Sequence, residues 1–479
     1  MTSYTPDTSN TPDTAASRNA QTLAAPMRDP HPQGLDGETL PAVAAGEPGS
    51  ELSLKNGAIR RSILPGGIRV ITEKMPGVYS ATLGLWVPRG SRDETPSAMG
   101  ATHFLEHLLF KGTPSRCAKE IAQVFDQIGG HANASTGKET THYYATVIGE
   151  ELPLALDCML DMFRCASLDE KAFELERGVI LEELAMDLDD GAERAHDALA
   201  AQLFANHPLG RPVGGTIETV RAATLDEVKA HYVAGYTPDQ LVVSVAGDVN
   251  HDQVCEQILK SMQNPGNSQW EHFDETTAAR NLSQQISAPI SGKTLMKPGK
   301  YTEEGNFEQA YLVLGGPGIP CGDYRELTLQ VMRAILGAGM SSRLFQHIRE
   351  DRGLAYNTYA FNAAYRETGI FGLAASCNPQ NAAEVMRLMR EELELIGSEP
   401  VTEEELRRAK GQLRGSTLLV MERTSARADH LAHAEIKYGK FIPVEQRMEL
   451  AQRVTAADIL DLARELAENA QVEVSVRPA

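Results

Sequence analysis

The chain has few cysteines, no long apolar run and a shortage of basic residues, and each scarcity argues against a class of protein. Its six cysteines are scattered along 479 residues without a C-x-x-C pair, which indicates free thiols in a reducing compartment rather than a disulfide framework. No segment approaches the roughly 18–20 consecutive apolar residues of a membrane-spanning helix, so we predict no membrane partner. The 65 acidic residues outnumber the 45 basic ones, which argues against a nucleic-acid partner.

Residues 1–52 differ in composition from the rest of the chain. They combine acidic residues, repeated Thr-Pro-Asp steps and small side chains, with almost no large apolar residues. Such a segment cannot bury enough surface to offset its chain entropy, so we predict a disordered acidic tail. It has neither the Arg-rich, acid-poor composition of a transit peptide nor the apolar centre of a secretory signal. We therefore expect a cytoplasmic, bacterial protein.

The remaining residues predict an α+β fold with two domains, because a chain of this length exceeds a single hydrophobic core. Residues 53–265 alternate β-rich segments with amphipathic helices, which is typical of helices packed on one face of a mostly antiparallel sheet. Residues 266–306 are polar and predict a linker. Residues 307–479 form the second predicted domain.

The second domain repeats the pattern of the first. Residues 81–85 resemble residues 310–314 at an offset of 229, and residues 241–245 resemble residues 472–476 at an offset of 231. Separate matches at nearly one offset indicate a duplication. We therefore predict two homologous domains of the same α+β architecture.

Two histidines and a glutamate share one helical face between residues 101 and 110. His103, Glu106 and His107 are three and four residues apart, and residues at this spacing lie on the same side of a helix. Neutral imidazole is a good zinc ligand, and a catalytic zinc needs three protein ligands and one open position. H-x-x-E-H is also the inverted form of the metalloprotease helix motif. The alternative is a helix that carries two incidental histidines.

Capping signals predict the ends of this helix. Thr95 suits the N-cap position, Pro96 suits the first helical position, and Gly112 ends the element. Phe104 and Leu108 provide apolar surface on the side opposite the histidines.

A candidate for the third ligand lies in the acidic helix predicted at residues 175–184. Glu176 and Glu183 are seven residues apart and share a face, whereas Glu182 points elsewhere. Val179, Ile180 and Leu184 are expected to pack underneath. Taken alone, this acidic run is more typical of a solvated surface.

Together, the H-x-x-E-H segment and the string E-R-x-V-I-x-x-E at residues 176–183 resemble the M16 (pitrilysin or insulinase) zinc metallopeptidases. The likeness is greatest to the branch that contains the mitochondrial processing peptidase β subunit and its bacterial homologues. It implies that His103, His107 and Glu183 bind one Zn²⁺ per chain and that Glu176 supports the site. The second domain has Met332, Leu336 and Arg414 at the positions that correspond to the ligands, so only the first domain can bind zinc.

The resemblance also implies roles for residues outside the metal motif. Arg349 and Tyr356 match an Arg and a Tyr that reach toward the bound peptide in related enzymes, and we expect one or the other to stabilise the oxyanion that develops during hydrolysis. A surface ion pair for Arg349 and a strand core for Tyr356 would explain these residues equally well. Asn133 and Ala134 match an edge strand on which a peptide is held by main-chain hydrogen bonds. Glu106 precedes His107 directly, and this position suits a general base.

These residues predict a zinc-dependent endopeptidase that hydrolyses peptides or unfolded polypeptide segments within a chamber. Relatives of this length enclose their substrate between four homologous domains, and one chain supplies two, so we expect a homodimer. Two alternatives stay open: a non-catalytic peptide-binding or scaffold subunit of the same fold, and a zinc hydrolase that acts on a non-peptide substrate.

Overall fold

The computed structural model describes residues 57–205, 207–263, 270 and 297–479, together with the backbone of two short strands at 43–44 and 50–54. The predicted tail 1–52 and most of the predicted linker 266–306 lie outside the described residues. All the described residues belong to one compact unit, Gly37–Ala479. No helix in the described part of the chain is long and apolar enough to span a membrane.

The first half of the chain forms an eight-stranded sheet. The order across the sheet is β1-β3-β4-β8-β5-β7-β6, and β2 pairs with β3. The β1–β3 and β4–β8 pairs are parallel, and the other pairs are antiparallel. Strand β6 is the last in the order and leaves one main-chain edge without a strand partner in the described sheet. The strands are β1 Val43–Ala44, β2 Ser50–Leu54, β3 Gly57–Ile63, β4 Arg69–Lys74, β5 Ser80–Val87, β6 His131–Thr136, β7 Thr141–Ile148 and β8 Val242–Gly247.

The described residues of the first half contain eight α-helices. Helices α1, α3 and α4 contribute buried apolar residues, such as Phe104, Leu156 and Ile180, to one core with Leu83 and Leu85 of β5. The helices are α1 Ala101–Leu108, α2 Ala118–Gln127, α3 Leu152–Cys165, α4 Glu170–Asp189, α5 Gly191–Phe204, α6 Ile217–Ala222, α7 Leu225–Gly235 and α8 His251–Met262.

The second half forms a five-stranded sheet with the order β11-β12-β10-β13-β9. Its strands are β9 Gly299–Gly305, β10 Ala310–Gly318, β11 Ala355–Ala364, β12 Gly369–Cys377 and β13 Val472–Pro478. Its helices are α9 Glu326–Gly337, α10 Ala382–Ser398, α11 Glu403–Val420, α12 Thr424–Tyr438, α13 Val444–Arg453 and α14 Ala456–Asn469.

The two sheets have the same topology. The order β9-β13-β10-β12-β11 in the second sheet reproduces β4-β8-β5-β7-β6 in the first, and the leading pair is parallel in both. The sequence repeats lie in the equivalent strands β5 and β10 and in β8 and β13. Two homologous α+β domains are therefore confirmed.

The predicted linker was too long at its C-terminal end. Strand β9, Gly299–Gly305, lies within it and pairs in parallel with β13. No residue of β9 is fully buried, because it lies at an edge of the sheet. Its polar composition therefore resembles that of a linker.

Each domain also places one helix on the sheet of the other domain. Helix α12 packs against β4, β5 and β8, and α5 packs against β10 and β13. Leu431 and Ala432 of α12 join Trp86 and Val242 in one apolar cluster. Leu199 of α5 joins a second such cluster on the other sheet. The prediction of helices on one face is therefore incomplete, since the exchanged helices cover part of the opposite faces.

Candidate metal centre

The helix that carries both histidines begins later than its capping signals predicted. Thr95 precedes a separate 3₁₀ turn, Pro96–Ala98, and α1 starts at residue 101. The Glu94 carboxylate instead accepts hydrogen bonds from the backbone N–H groups of Gly100, at 2.9 Å, and Thr102, at 2.7 Å. Burial raises the pKa of Glu94 to about 7. Capping rules consider shorter separations and could not identify a carboxylate six to eight residues upstream.

The structure brings the three predicted ligands together. The Nε2 atoms of His103 and His107 are 3.3 Å apart. One oxygen of Glu183, Oε2, lies 3.6 Å from His103 Nε2 and 3.4 Å from His107 Nε2. Among the described residues, this is the one group of three or more His, Cys, Asp or Glu side chains with ligand atoms close enough to hold a metal ion. Helix α1 therefore supplies two ligand atoms and α4 supplies the third.

The spacing of these three atoms fits a zinc ion. Tetrahedral zinc ligands at about 2.0–2.1 Å from the metal lie about 3.3–3.4 Å from one another. The observed separations of 3.3, 3.4 and 3.6 Å agree with this geometry. Two nitrogens and one carboxylate oxygen are also a donor set that zinc prefers.

A second carboxylate orients His107. Glu176 Oε2 lies 3.0 Å from His107 Nδ1, and Lys111 Nζ lies 2.7 Å from Glu176 Oε1. When Nδ1 donates to Glu176, the lone pair of Nε2 is free to bind a metal. This contact agrees with the supporting role expected of Glu176. Lys111 lies one turn beyond His107 and was not among the residues predicted for the site.

Replacing Glu176 by Gln is expected to weaken zinc affinity by about 10- to 100-fold, as is typical when a residue that orients a metal ligand is changed. Competition with a chromogenic chelator measures the affinity. The control is Glu182→Gln, an equal loss of charge at an exposed position of α4. Equal affinities in the two variants would show that Glu176 does not support the site.

His103 is also partly buried. Burial lowers its pKa, and the neighbouring His107 lowers it further. Its Nδ1 atom is buried and has no hydrogen-bond partner among the described residues. Gly214 packs against the ring, because a Cβ atom there would lie 3.4 Å from His103 Nδ1 and 3.0 Å from Leu184 Cδ2. Absence of a side chain at Gly214 thus leaves room for the imidazole.

Glu106 lies on α1 beside the three ligands but outside their cluster. Its half-buried side-chain carboxylate makes no hydrogen bond or ion pair with any residue that the structure describes. Its negative charge raises the pKa of His103, which opposes the effect of burial. A carboxylate without a structural partner is available to accept a proton.

Arg349 and Tyr356 contact each other in the second domain. Arg349 Nη1 donates to the Tyr356 carbonyl oxygen at 2.9 Å, and its guanidinium carbon lies 5.0 Å from the centre of the Tyr356 ring. Tyr356 is largely exposed and lies at a register shift of β11. Such bulges redirect side chains. No hydrogen bond, ion pair or ring contact joins either residue to the described part of the first domain.

Asn133 and Ala134 lie on the edge strand β6, as expected. They pair with Tyr144 and Tyr143 of β7, and the other edge of β6 has no strand partner in the described sheet. Asn133 is exposed and Ala134 is buried. Helix α1 contacts β6, so the open edge lies on the side of the sheet near the metal cluster.

Two family models match successive parts of the chain. The family described as Insulinase (Peptidase family M16) matches residues 69–217, and the family described as Peptidase M16 inactive domain matches residues 222–413. The first match contains all three clustered side chains. The second match runs from the end of the first domain into the second domain, which lacks their equivalents.

Individual proteins extend the likeness over most of the chain. A Streptomyces coelicolor protein named as an uncharacterized zinc protease is 41% identical over 412 residues, which cover 86% of this chain and 87% of that protein. A Bacillus subtilis protein with a similar name is 34% identical, covering 85% and 95% of the two chains. A Helicobacter pylori protease structure matches with a TM-score of 0.76 at 22% identity, covering 89% of this chain and 99% of that chain. A putative M16-like peptidase of Alicyclobacillus acidocaldarius matches with a TM-score of 0.75 at 19% identity, covering 89% and 100%. The two structures support the fold alone.

Proposed function

Because the chain belongs to peptidase family M16, we propose that it is a zinc-dependent endopeptidase that cleaves peptides or unfolded polypeptide segments. The observation that carries the proposal is the cluster of His103, His107 and Glu183, with an unpaired Glu106 beside it. Relatives named as zinc proteases support the same activity.

A zinc ion in this site would lower the pKa of its bound water to about 7 and polarise the scissile carbonyl. Glu106 accepts a proton from the attacking water and transfers it to the leaving amine. Glu176 holds the His107 ring in the orientation that metal binding needs. The open edge of β6, at Asn133 and Ala134, holds the peptide main chain by adding it to the sheet.

A fluorogenic peptide assay with and without a chelator tests this proposal. We expect cleavage that the chelator abolishes and added zinc restores. Peptide binding without cleavage would instead indicate a non-catalytic peptide-binding or scaffold subunit. Zinc-dependent hydrolysis confined to a non-peptide ester would indicate a hydrolase with another substrate.

The purified protein is expected to bind about one zinc per chain, because the described residues contain one suitable cluster. His103→Ala, His107→Ala and Glu183→Ala should each lose the metal, whereas Glu182→Ala should retain it. Elemental analysis of each variant measures the zinc content. Retention by Glu183→Ala together with loss by Glu182→Ala would place the third ligand one residue earlier.

A homodimer that encloses the cleavage site is part of the same proposal, as is a cytoplasmic location. Two chains would together supply four homologous domains around a chamber, which would admit unfolded peptides and exclude folded proteins. Light scattering at the concentration of the activity assay should give twice the chain mass of 52.0 kDa. Full activity in a sample that contains only monomer would contradict the chamber.

A further inference from the structure

Helix α4 carries a row of large apolar side chains that are exposed to solvent. Leu175, Val179 and Met186 are 62%, 44% and 72% exposed, and we call these three residues the α4 apolar row. Val179 was expected to pack in the core beside Ile180 and Leu184, but only the latter two are buried. Single exposed apolar residues are ordinary, whereas several on one side of a helix indicate a binding surface.

The α4 apolar row lies beside the metal cluster. At about 100° per residue, its three side chains fall within an arc of about 40°. Val179 precedes Glu183 by four residues, so these two side chains also leave the helix about 40° apart. The Glu183 side chain is itself 42% exposed. The row and the ligand therefore share one solvent-facing side of α4.

The position of the α4 apolar row beside Glu183 favours a ligand that binds and dissociates over a permanently bound protein subunit. A protein subunit packed closely against Val179 would also cover Glu183, to which a substrate needs access. A peptide substrate approaches the same carboxylate and leaves after cleavage. Successive side chains of an extended peptide point to opposite sides. When its main chain pairs with the edge of β6, about half of its side chains face the layer of helices that contains α1 and α4.

We propose that the α4 apolar row binds apolar side chains of an extended peptide beside the cleavage site. This inference rests on the proposed peptidase function and adds the substrate class, namely unfolded segments rich in large apolar residues. Such side chains are exposed in unfolded chains and buried in folded domains. The three residues contact side chains of the substrate and do not contact the peptide bond that is cleaved.

Peptide binding in the full-length Glu106→Gln protein tests the proposal without turnover. Two fluorescent peptides of equal length carry either Leu or Gln at alternate positions, and anisotropy gives their dissociation constants. Changing Leu175, Val179 and Met186 together to Gln is expected to weaken binding of the Leu peptide by roughly tenfold or more. Binding of the Gln peptide should change by less than about twofold. Gln has good helix propensity, and circular dichroism checks the fold.

Two control variants separate the α4 apolar row from exposed apolar surface in general. Leu188 lies nine residues after Val179, on the opposite side of α4, and is 41% exposed. Val233 on α7 is 48% exposed, close to the value for Val179. Leu188→Gln and Val233→Gln should both bind the Leu peptide as the parent protein does.

Unchanged affinity of the triple variant for the Leu peptide would overturn the proposal, even if the wild-type protein cleaves peptides normally. If the triple variant changed its oligomeric state by light scattering and kept its peptide affinity, the α4 apolar row would be a contact between subunits and the proposal would be overturned. Failure of the peptidase function gives a different result. The wild-type protein would then show no chelator-sensitive cleavage. Weaker binding of the Leu peptide, but not of the Gln peptide, to the triple variant would still support a peptide-binding surface.

Discussion

Glu106→Gln is expected to lower peptide turnover by about 10²- to 10⁴-fold while the protein retains one zinc per chain. Gln has nearly the same size and shape as Glu, but it cannot accept a proton from the attacking water. The clustered ligand atoms belong to His103, His107 and Glu183, so the change removes a base and no ligand. Elemental analysis measures the zinc content, and kcat for a fluorogenic peptide measures the chemical effect.

The matched control for this variant is Glu182→Gln, which removes the same charge at an exposed position of α4. It should retain both zinc and turnover. Because a proton acceptor acts mainly in the transition state, kcat should fall in Glu106→Gln with little change in KM. Loss of zinc from Glu106→Gln would place Glu106 among the ligands, and normal kcat would remove it as the base.

Tyr356→Phe and Arg349→Ala are each expected to lower kcat by about 10²- to 10³-fold, which is typical for loss of a single oxyanion donor. A tyrosine hydroxyl and a guanidinium are both hydrogen-bond donors. Zinc content and thermal stability should stay at the wild-type level. Tyr324→Phe is the control, because Tyr324 is an exposed tyrosine of the same domain.

Mixing inactive chains tests which zinc site the second domain serves. The described contacts do not join Arg349 or Tyr356 to the metal cluster of the same chain. If the second domain of one subunit completes the site of the other, dimers of Glu106→Gln and Tyr356→Phe chains should regain one complete site and some activity. If both domains act within one chain, the mixture should stay inactive. Normal kcat in both single variants would remove these residues from the mechanism.

The candidate metal site could be predicted from the sequence because its parts follow from local helical geometry. His103 and His107 are one turn apart, and Glu176 and Glu183 are two turns apart, so each pair shares a face once the helix forms. The duplication was also visible, since equivalent strands keep their apolar sequences. The pairing of the two helices came from the family resemblance, because spacing within one helix contains no information about its neighbour.

Contacts between distant residues decided the features that the sequence did not predict. The Glu94 carboxylate accepts a hydrogen bond from the α1 backbone several residues downstream. Lys111, in the 3₁₀ turn after α1, forms an ion pair with Glu176 of α4. The exchange of α5 and α12 between the domains depends on how the two sheets lie together. The exposure of Val179 depends on which elements pack against α4. Amphipathic periodicity identifies an apolar face, but the surface that covers this face depends on the rest of the chain. The sequence by itself therefore determined the repeated domain and the helical faces that carry the candidate ligands, and the family resemblance selected Glu183 among them. The tertiary structure decided how these side chains are supported and which apolar surface is exposed beside them.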